Sequence, residues 1–231
     1  MKHNYKKFTV VRRNELNEAS YKLSLDEHRL ILCAISRMNS QVSSDDDIEI
    51  TAIYFADMWG VNKKLAYMQL KQARNRLYER SVRLKRLGNG EVWDVRWIES
   101  AAYQDGEGYV KLRFSSRIKQ YLSNIEKNFT SYTLYEIRNF KSGHAIRLYE
   151  LMMQYKSTTW RKDSLEELKR YFGVSHQYKE WYEFKRRVLD PAKSEINKYT
   201  QYIVDYDEVK RGRSVVAVDL TIIKRSLIAN S

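Results

Sequence analysis

Twice along this chain an aromatic residue, a glycine, a valine and a small polar residue stand in a row between two stretches of helical periodicity: Trp59-Gly60-Val61-Asn62 and Phe172-Gly173-Val174-Ser175. A glycine at the end of an apolar-striped run stops one helix and lets the chain turn into the next. Two helices joined through a turn of a few residues make a helix-turn-helix. In both halves extended segments with Gly-bearing turns come after it, so the order helix, turn, helix, hairpin occurs twice. That order describes a winged helix, and its recurrence predicts an α+β, mainly helical chain of two tandem winged-helix domains related by pseudo-repeat. Without a Pro- or Gly-rich linker to mark it, the boundary is placed near residue 130, giving units 1–130 and 131–231.

The individual elements are set by caps and periodicity. Ser24-Leu25-Asp26-Glu27 is a capping box, and the run to Met38 puts Leu30, Ile31, Ala34, Ile35 and Met38 on one helical face. A shorter helix is expected around Asn14 to Ala19. Ile48-Glu49-Ile50 reads as a strand, Thr51 as the cap of a helix from Ala52 to Trp59, and Asn62 as the start of a helix to Arg80 striped by Ala66, Leu70, Ala73 and Leu77. Extended runs come next: Val82 to Leu87, a Gly88-Asn89-Gly90 turn, Val92 to Ile98, a turn at Asp105 to Gly108, and Tyr109 to Phe114. Residues 115–140 read as further helix and connection. In the second half, Gly143 to Tyr155 is helical, Ser164-Leu165-Glu166-Glu167 is another capping box opening a helix to Phe172, and Tyr178 to Tyr199 forms the long helix. Pro191 is expected to kink that helix or to restart it with Asp190 as cap. A hairpin of Gln201 to Tyr206 and Ser214 to Ile223 turns around Lys210-Arg211-Gly212-Arg213.

Charge narrows the partner. The chain carries 42 Lys+Arg against 29 Asp+Glu, a net +13 with pI near 9.6, which favours polyanions, nucleic acid ahead of membrane. No apolar run reaches a membrane span of roughly 18 residues, and no bare basic amphipathic helix or lipidation signal is evident, so no membrane partner is expected. The single cysteine, Cys33, excludes an internal disulfide and thiolate-rich zinc sites, which fits a reducing, cytoplasmic location.

Each second helix must bury one stripe and present the other at about 100° per residue. In the first half the outward face is assigned Lys64, Tyr67, Lys71, Asn75 and Tyr78, flanked by Arg74. In the second half Trp181, Phe184, Val188, Ala192 and Ile196 face inward, while Lys179, Glu183, Arg186, Arg187, Asp190, Lys193 and Ser194 face outward. Arginine's planar fork can pair bidentately with guanine O6 and N7, so Arg186 and Arg187 are the candidate base readers. Lys179, Lys193, Lys63, Lys64 and Lys71 suit phosphates, and Arg211 and Arg213 at the hairpin tip suit phosphate or minor groove.

Enzymatic readings are poorly supplied. No phosphate-cradling Gly-x-x-x-x-Gly-Lys-Ser/Thr occurs, and His3, His28, His144 and His176 lack metal-ligand spacing. His144-Ala145-Ile146-Arg147 resembles the His-x-x-Arg of tyrosine recombinases, which makes a tyrosine-type DNA strand-transferase the catalytic rival. The reading adopted is a non-enzymatic protein without cofactor or metal.

Two stretches carry a family likeness. The run from Val10 to Leu32, Val-Val-Arg-Arg-Asn-Glu-Leu-Asn-Glu-Ala-Ser-Tyr-Lys-Leu-Ser-Leu-Asp-Glu-His-Arg-Leu-Ile-Leu, and the run from Phe184 to Asn197, Phe-Lys-Arg-Arg-Val-Leu-Asp-Pro-Ala-Lys-Ser-Glu-Ile-Asn, resemble the theta-type plasmid replication initiators, which bind repeated origin elements called iterons. The resemblance implies two winged-helix domains, a C-terminal one docking its long helix in the iteron major groove and an N-terminal one that contacts DNA and dimerises. It further implies duplex origin repeats as the main partner, an operator inverted repeat bound by autorepressing dimers, and recruitment of the host initiator, the replicative helicase and chaperones. A winged-helix transcriptional repressor without origin function is the alternative within the same binding class.

Overall fold

The computed structural model describes residues 8–40, 47–85, 91–103, 107–123, 125 and 127–228. The expected turn at Gly88-Asn89-Gly90 and residues Asp105 and Gly106 of the next turn lie outside them. The chain forms two compact units, Met1–Leu16 with Leu23–Asn139, and Asn17–Lys22 with Phe140–Ser231.

The first unit opens with β1 (Thr9–Arg13), which leads into the short helix α1 (Asn14–Asn17). The capping box at Ser24 forms as expected: the Ser24 N–H donates to Glu27, and the Glu27 N–H donates to Ser24 Oγ at 3.3 Å. It starts α2 (Leu25–Ser40), whose five expected stripe residues are all buried. β2 (Ile48–Thr51) passes into α3 (Ala52–Trp59), and the Tyr54 N–H donates to Thr51 Oγ1 at 3.1 Å. Gly60, at φ 62°, ends α3 in the left-handed region. Asn62 then caps α4 (Lys63–Tyr78), which buries the four expected residues Ala66, Leu70, Ala73 and Leu77.

The extended part of this unit is richer than its sequence suggests. Among the described residues β3 (Ser81–Lys85) pairs only with β4 (Val92–Arg96); β5 (Ile98–Tyr103) and β6 (Tyr109–Phe114) join β2 in a sheet of order β2-β6-β5. The single strand expected from Val92 to Ile98 is two, divided at Trp97. The Trp97 side chain is fully buried and its backbone N–H donates to the Arg80 carbonyl. The connection after β6 contains α5 (Ser116–Lys119), β7 (Phe129–Thr133) and α6 (Leu134–Ile137). β7 pairs along its whole length with β1, from Thr9 opposite Thr133 to Arg13 opposite Phe129. A boundary at 130 would cut that ladder, and the passage to the second unit lies at Asn139/Phe140.

The second unit is built on α7 (Gly143–Met153), in which every residue from Ala145 to Met153 is buried, Arg147 and Glu150 included. β8 (Trp160–Ser164) leads into α8 (Leu165–Tyr171) through the Ser164/Glu167 capping box. A long helix runs from Trp181 to Tyr199, then β9 (Tyr202–Arg211), β10 (Ser214–Lys224) and α11 (Arg225–Ile228). The sheet order is β8-β10-β9. Helix, strand, two helices and a hairpin, with the first strand paired to the last, recurs in α2 through β6, where the pair β3-β4 is inserted ahead of the hairpin β5-β6; the strand orders β2-β6-β5 and β8-β10-β9 correspond.

The two glycine motifs share one hydrogen bond. Val61 N–H donates to Ala56 O at 3.2 Å and Val174 N–H donates to Lys169 O at 2.9 Å, each spanning five residues past a left-handed glycine, the hydrogen bond of a Schellman stop. Beyond the valine the two motifs diverge. Asn62 caps the next helix at once, whereas Ser175 opens a loop that runs to Glu180.

Segment Asn17–Lys22 belongs to the second unit because α7 holds it there. The Arg147 guanidinium donates through Nη2 to the carbonyls of Asn17 (2.8 Å), Ala19 (3.0 Å) and Tyr171 (2.7 Å), and through Nη1 to the Tyr21 hydroxyl. Arg170 Nη1 donates to Glu18 O at 3.0 Å. A buried arginine saturated by carbonyls explains how α7 can be buried on every side and still carry a charge.

Candidate nucleic-acid interface

The long helix of the second unit is continuous through its only proline. α9 (Trp181–Phe184) passes into a π-helical turn, Lys185–Leu189, and then into α10 (Asp190–Tyr199). Pro191 has no N–H, and its ring would strike the carbonyl four residues back in an ordinary α-helix. Widening the turn relieves both demands: the Asp190 N–H reaches the Lys185 carbonyl, one residue farther than α-helical spacing, as in a π-bulge. The expected kink is thus replaced by one extra residue in the turn. That residue adds Leu189 to the buried stripe of Phe184, Val188, Ala192 and Ile196, while Trp181 is only half-buried.

Arg186 and Arg187 lie on the solvent side of this π turn, both exposed. Among the described residues neither forms an ion pair. The Arg186 guanidinium lies 5.4 Å from the ring centroid of Tyr182, one turn earlier, and Tyr182 is itself 64% exposed. Nothing in the sequence singled out Tyr182; its four-residue spacing from Arg186 was the available signal.

Other cations of the unit are engaged within it. Lys185 Nζ and the Trp181 indole N–H both donate to Glu208 Oε1 at 2.9 Å, and Lys210 Nζ lies 3.4 Å from the other oxygen. These contacts, led by the Lys185 hydrogen bond, hold the Glu208 carboxyl down to about 2. Lys193, expected to face phosphate, is bonded instead to Asp205 on β9, and it keeps that carboxyl below its ordinary range. Lys179 is exposed but precedes the helix, which starts at Trp181 rather than Tyr178 because Tyr178 has φ 53°. Arg211 and Arg213 are exposed at the hairpin tip, where Gly212 and Arg213 make a two-residue turn with Gly212 at φ 61°, a type II′ geometry.

In the first unit the structure divides the candidate DNA-contacting residues of α4. Lys63, Lys64 and Asn75 are exposed. Tyr67, Lys71 and Arg74 instead pack toward β5: the Tyr67 and Tyr103 hydroxyls are hydrogen-bonded, Lys71 Nζ lies 4.5 Å above the Tyr103 ring, and Arg74 Nη2 donates to Ala101 O at 3.0 Å. The stripe opposite the buried one is centred on Met68 and Asn75, flanked by Lys64, Gln72 and Leu65, all exposed. Centring the helical wheel on Ala66, Leu70, Ala73 and Leu77 finds that stripe from sequence alone; treating apolar residues as interior by type hides it.

The catalytic rival fails on geometry. Arg147, the arginine of the His144 to Arg147 match, is 1% exposed with its guanidinium bonded to the three carbonyls, so it has no access to a scissile phosphate. His144 is half-buried and its imidazole is pushed below its ordinary range by desolvation. Cys33 is buried beneath the Trp59 indole N–H, and burial raises its thiol to about 12. Among the described residues no cluster of His, Cys, Asp or Glu could hold a metal ion, and no helix is long and apolar enough to cross a membrane.

Comparison with known proteins bears on this architecture directly. Residues 9–153 match the family described as Initiator Replication protein, WH1, and residues 164–222 match Initiator Rep protein, WH2. The chain belongs to the initiator replication protein family. Among relatives of this initiator are a replication initiation protein of Escherichia coli, 28% identical over 88% of this chain and 66% of the relative, and the PI protein of Escherichia coli, 27% identical over 85% and 75%. An uncharacterized 27.6 kDa protein of the same organism is 26% identical over 92% of this chain and 95% of its own length. The solved structure of Pi initiator protein in complex with iteron DNA superposes with a TM-score of 0.80, at 26% identity, over 95% of this chain and 98% of that one. The initiator fold is therefore matched across both winged-helix units and not in one alone.

Proposed function

We propose that this initiator starts plasmid replication by binding repeated duplex elements of its origin, the iterons, with a winged helix from each half of the chain. The observation that carries the reading is the whole-chain likeness to an initiator solved on iteron DNA, together with exposed arginines on the second helix of the C-terminal unit. In this reading Arg186 and Arg187 read guanine edges in the major groove, and Arg211 and Arg213 reach the backbone or minor groove from the wing. Lys179, Lys63 and Lys64 meet phosphates. The two units divide the labour: the N-terminal one contacts DNA and pairs with a second copy, and the C-terminal one supplies iteron recognition. A dimer represses its own promoter at an inverted repeat, and the bound monomer recruits the host initiator, helicase and chaperones.

Footprinting on the DNA flanking the coding region tests the reading. Direct repeats about two helical turns long, protected on one face of the duplex, together with transformation by a plasmid that carries only those repeats and this gene, are the expected results. Protection of a lone operator with no origin activity would leave a repressor instead.

A further inference from the structure

The outward face of α4 carries two apolar side chains for which the fold has no use. Leu65 is 44% and Met68 48% exposed, one turn apart on the N-terminal half of the helix. Their neighbours on that face are Lys64, Gln72 and Asn75, and the whole helix, Lys63–Tyr78, contains five Lys or Arg and not one Asp or Glu. A helix so charged suits a polyanion, not a basic or neutral protein surface. Two half-exposed side chains also fall far short of the roughly 1,000 Å² that a specific protein interface buries.

In a helix-turn-helix the N-terminal residues of the second helix meet the base edges. The only apolar group that B-DNA offers in its major groove is the thymine 5-methyl. We infer that Leu65 and Met68 are specificity residues that read thymine through its 5-methyl group, with Gln72 on the same face placed to bond the amino and N7 edge of the paired adenine. The inference rests on the origin-binding reading and assigns what the first winged helix recognises: A·T pairs, where the arginines of the second helix select guanine.

Deoxyuridine differs from thymidine by that methyl alone, so it supplies the test. The probe is the duplex repeat protected in the footprint, prepared with each thymine in turn replaced by deoxyuridine, and titrated with the full-length protein. Burying one methyl is worth about fourfold in affinity. Wild-type protein should therefore lose about fourfold at one or two thymines on the side of the repeat met by the first unit. Met68→Ala or Leu65→Ala should lose a similar factor on the thymine duplex and be indifferent to uracil at the same position. Equal affinity of the wild type for thymine and uracil at every position, with specific binding to the repeat intact, would overturn the inference and leave the origin reading standing. Uracil sensitivity that persists unchanged in both variants would also overturn it. So would a Met68→Ala variant that shifts the monomer to dimer midpoint without altering the uracil response, because the patch would then be a self-contact. Failure of the wild type to prefer the repeat over scrambled duplex would sink the origin reading itself, and this inference with it. Both side chains are exposed, so unchanged thermal melting is expected and separates recognition from folding.

Discussion

The twin glycines offer a controlled experiment on how the second unit is held together. Gly60 and Gly173 have nearly the same conformation, φ 62° and 66°, and each stops a helix with the same hydrogen bond. Alanine in that left-handed region costs about 1–2 kcal/mol from backbone strain alone. At Gly60 nothing more is added, because a Cβ there would have Arg138 Nη2 at 3.9 Å as its nearest neighbour. At Gly173 a Cβ would stand 2.3 Å from the Tyr21 carbonyl oxygen and 2.8 Å from its carbon. Both are backbone atoms, so segment Asn17–Lys22 must move. Arg147 and Arg170 hold that segment through its carbonyls, and losing one hydrogen bond to a charged group costs about 1.5–3 kcal/mol. Gly173→Ala should therefore destabilise by about 2.5–5 kcal/mol and Gly60→Ala by about 1–2 kcal/mol. Urea unfolding of the two variants beside the wild type measures both. Equal losses would refute the reasoning, since they would mean that the close approach of Tyr21 to Gly173 contributes nothing beyond the shared strain.

Arg186→Ala and Arg187→Ala are each expected to cost about 1–3 kcal/mol on the specific repeat and much less on random duplex; titration of both DNAs checks this, and equal losses would remove a base-reading role. Lys64→Ala should make the dependence of log K on log salt shallower by about one unit, whereas Lys193→Ala, whose ammonium is paired with Asp205, should leave the slope unchanged; a salt series on the three proteins distinguishes them. Glu208 titrates at about 2 in the folded chain against 4.5 ordinarily. A depressed carboxyl stabilises fully above its unfolded value and loses that contribution as pH falls through the folded one. Glu208→Gln should accordingly flatten the stability of the second unit between about pH 4.5 and 2, measured by urea midpoints across that range.

Helix ends and apolar stripes are legible in the sequence because caps and periodicity act within a few residues. Thr51, Ser24, Ser164 and Gly60 do in the structure what their side chains, or the lack of one, dictate. β7 was not legible: Phe129-Thr130-Ser131-Tyr132-Thr133 becomes a strand only because β1, about 120 residues earlier, supplies the other half of the ladder. The π turn escaped for a related reason. Pro191 announces a disturbance, but whether the chain breaks or adds a residue depends on the packing that keeps Val188 and Leu189 buried together. At the candidate interface, residue type misled where partners decide. Lys193, Lys71 and Arg74 are of a type that suits DNA, yet each is engaged by a partner within the chain.

Those engagements change what the net charge of +13 means for binding. In the second unit Lys185 and Lys210 share Glu208, Lys193 holds Asp205, Arg161 is clamped by Asp163 with Nη2 at 2.6 Å, and Arg147 is spent on carbonyls. None of these releases a counterion from DNA without first giving up a partner. In the proposed mode of binding, affinity for duplex through this unit comes from those exposed cations that stand where a winged helix meets DNA, Lys179, Arg186 and Arg187 on the second helix and the loop before it and Arg211 and Arg213 at the hairpin tip. The salt dependence of binding counts phosphates neutralised, so it reports on this short set and not on the composition. The internally paired cations serve a different end: Lys185 and Lys193 fasten the long helix to β9, and that rigidity is what fixes the angle at which Arg186 and Arg187 leave the surface.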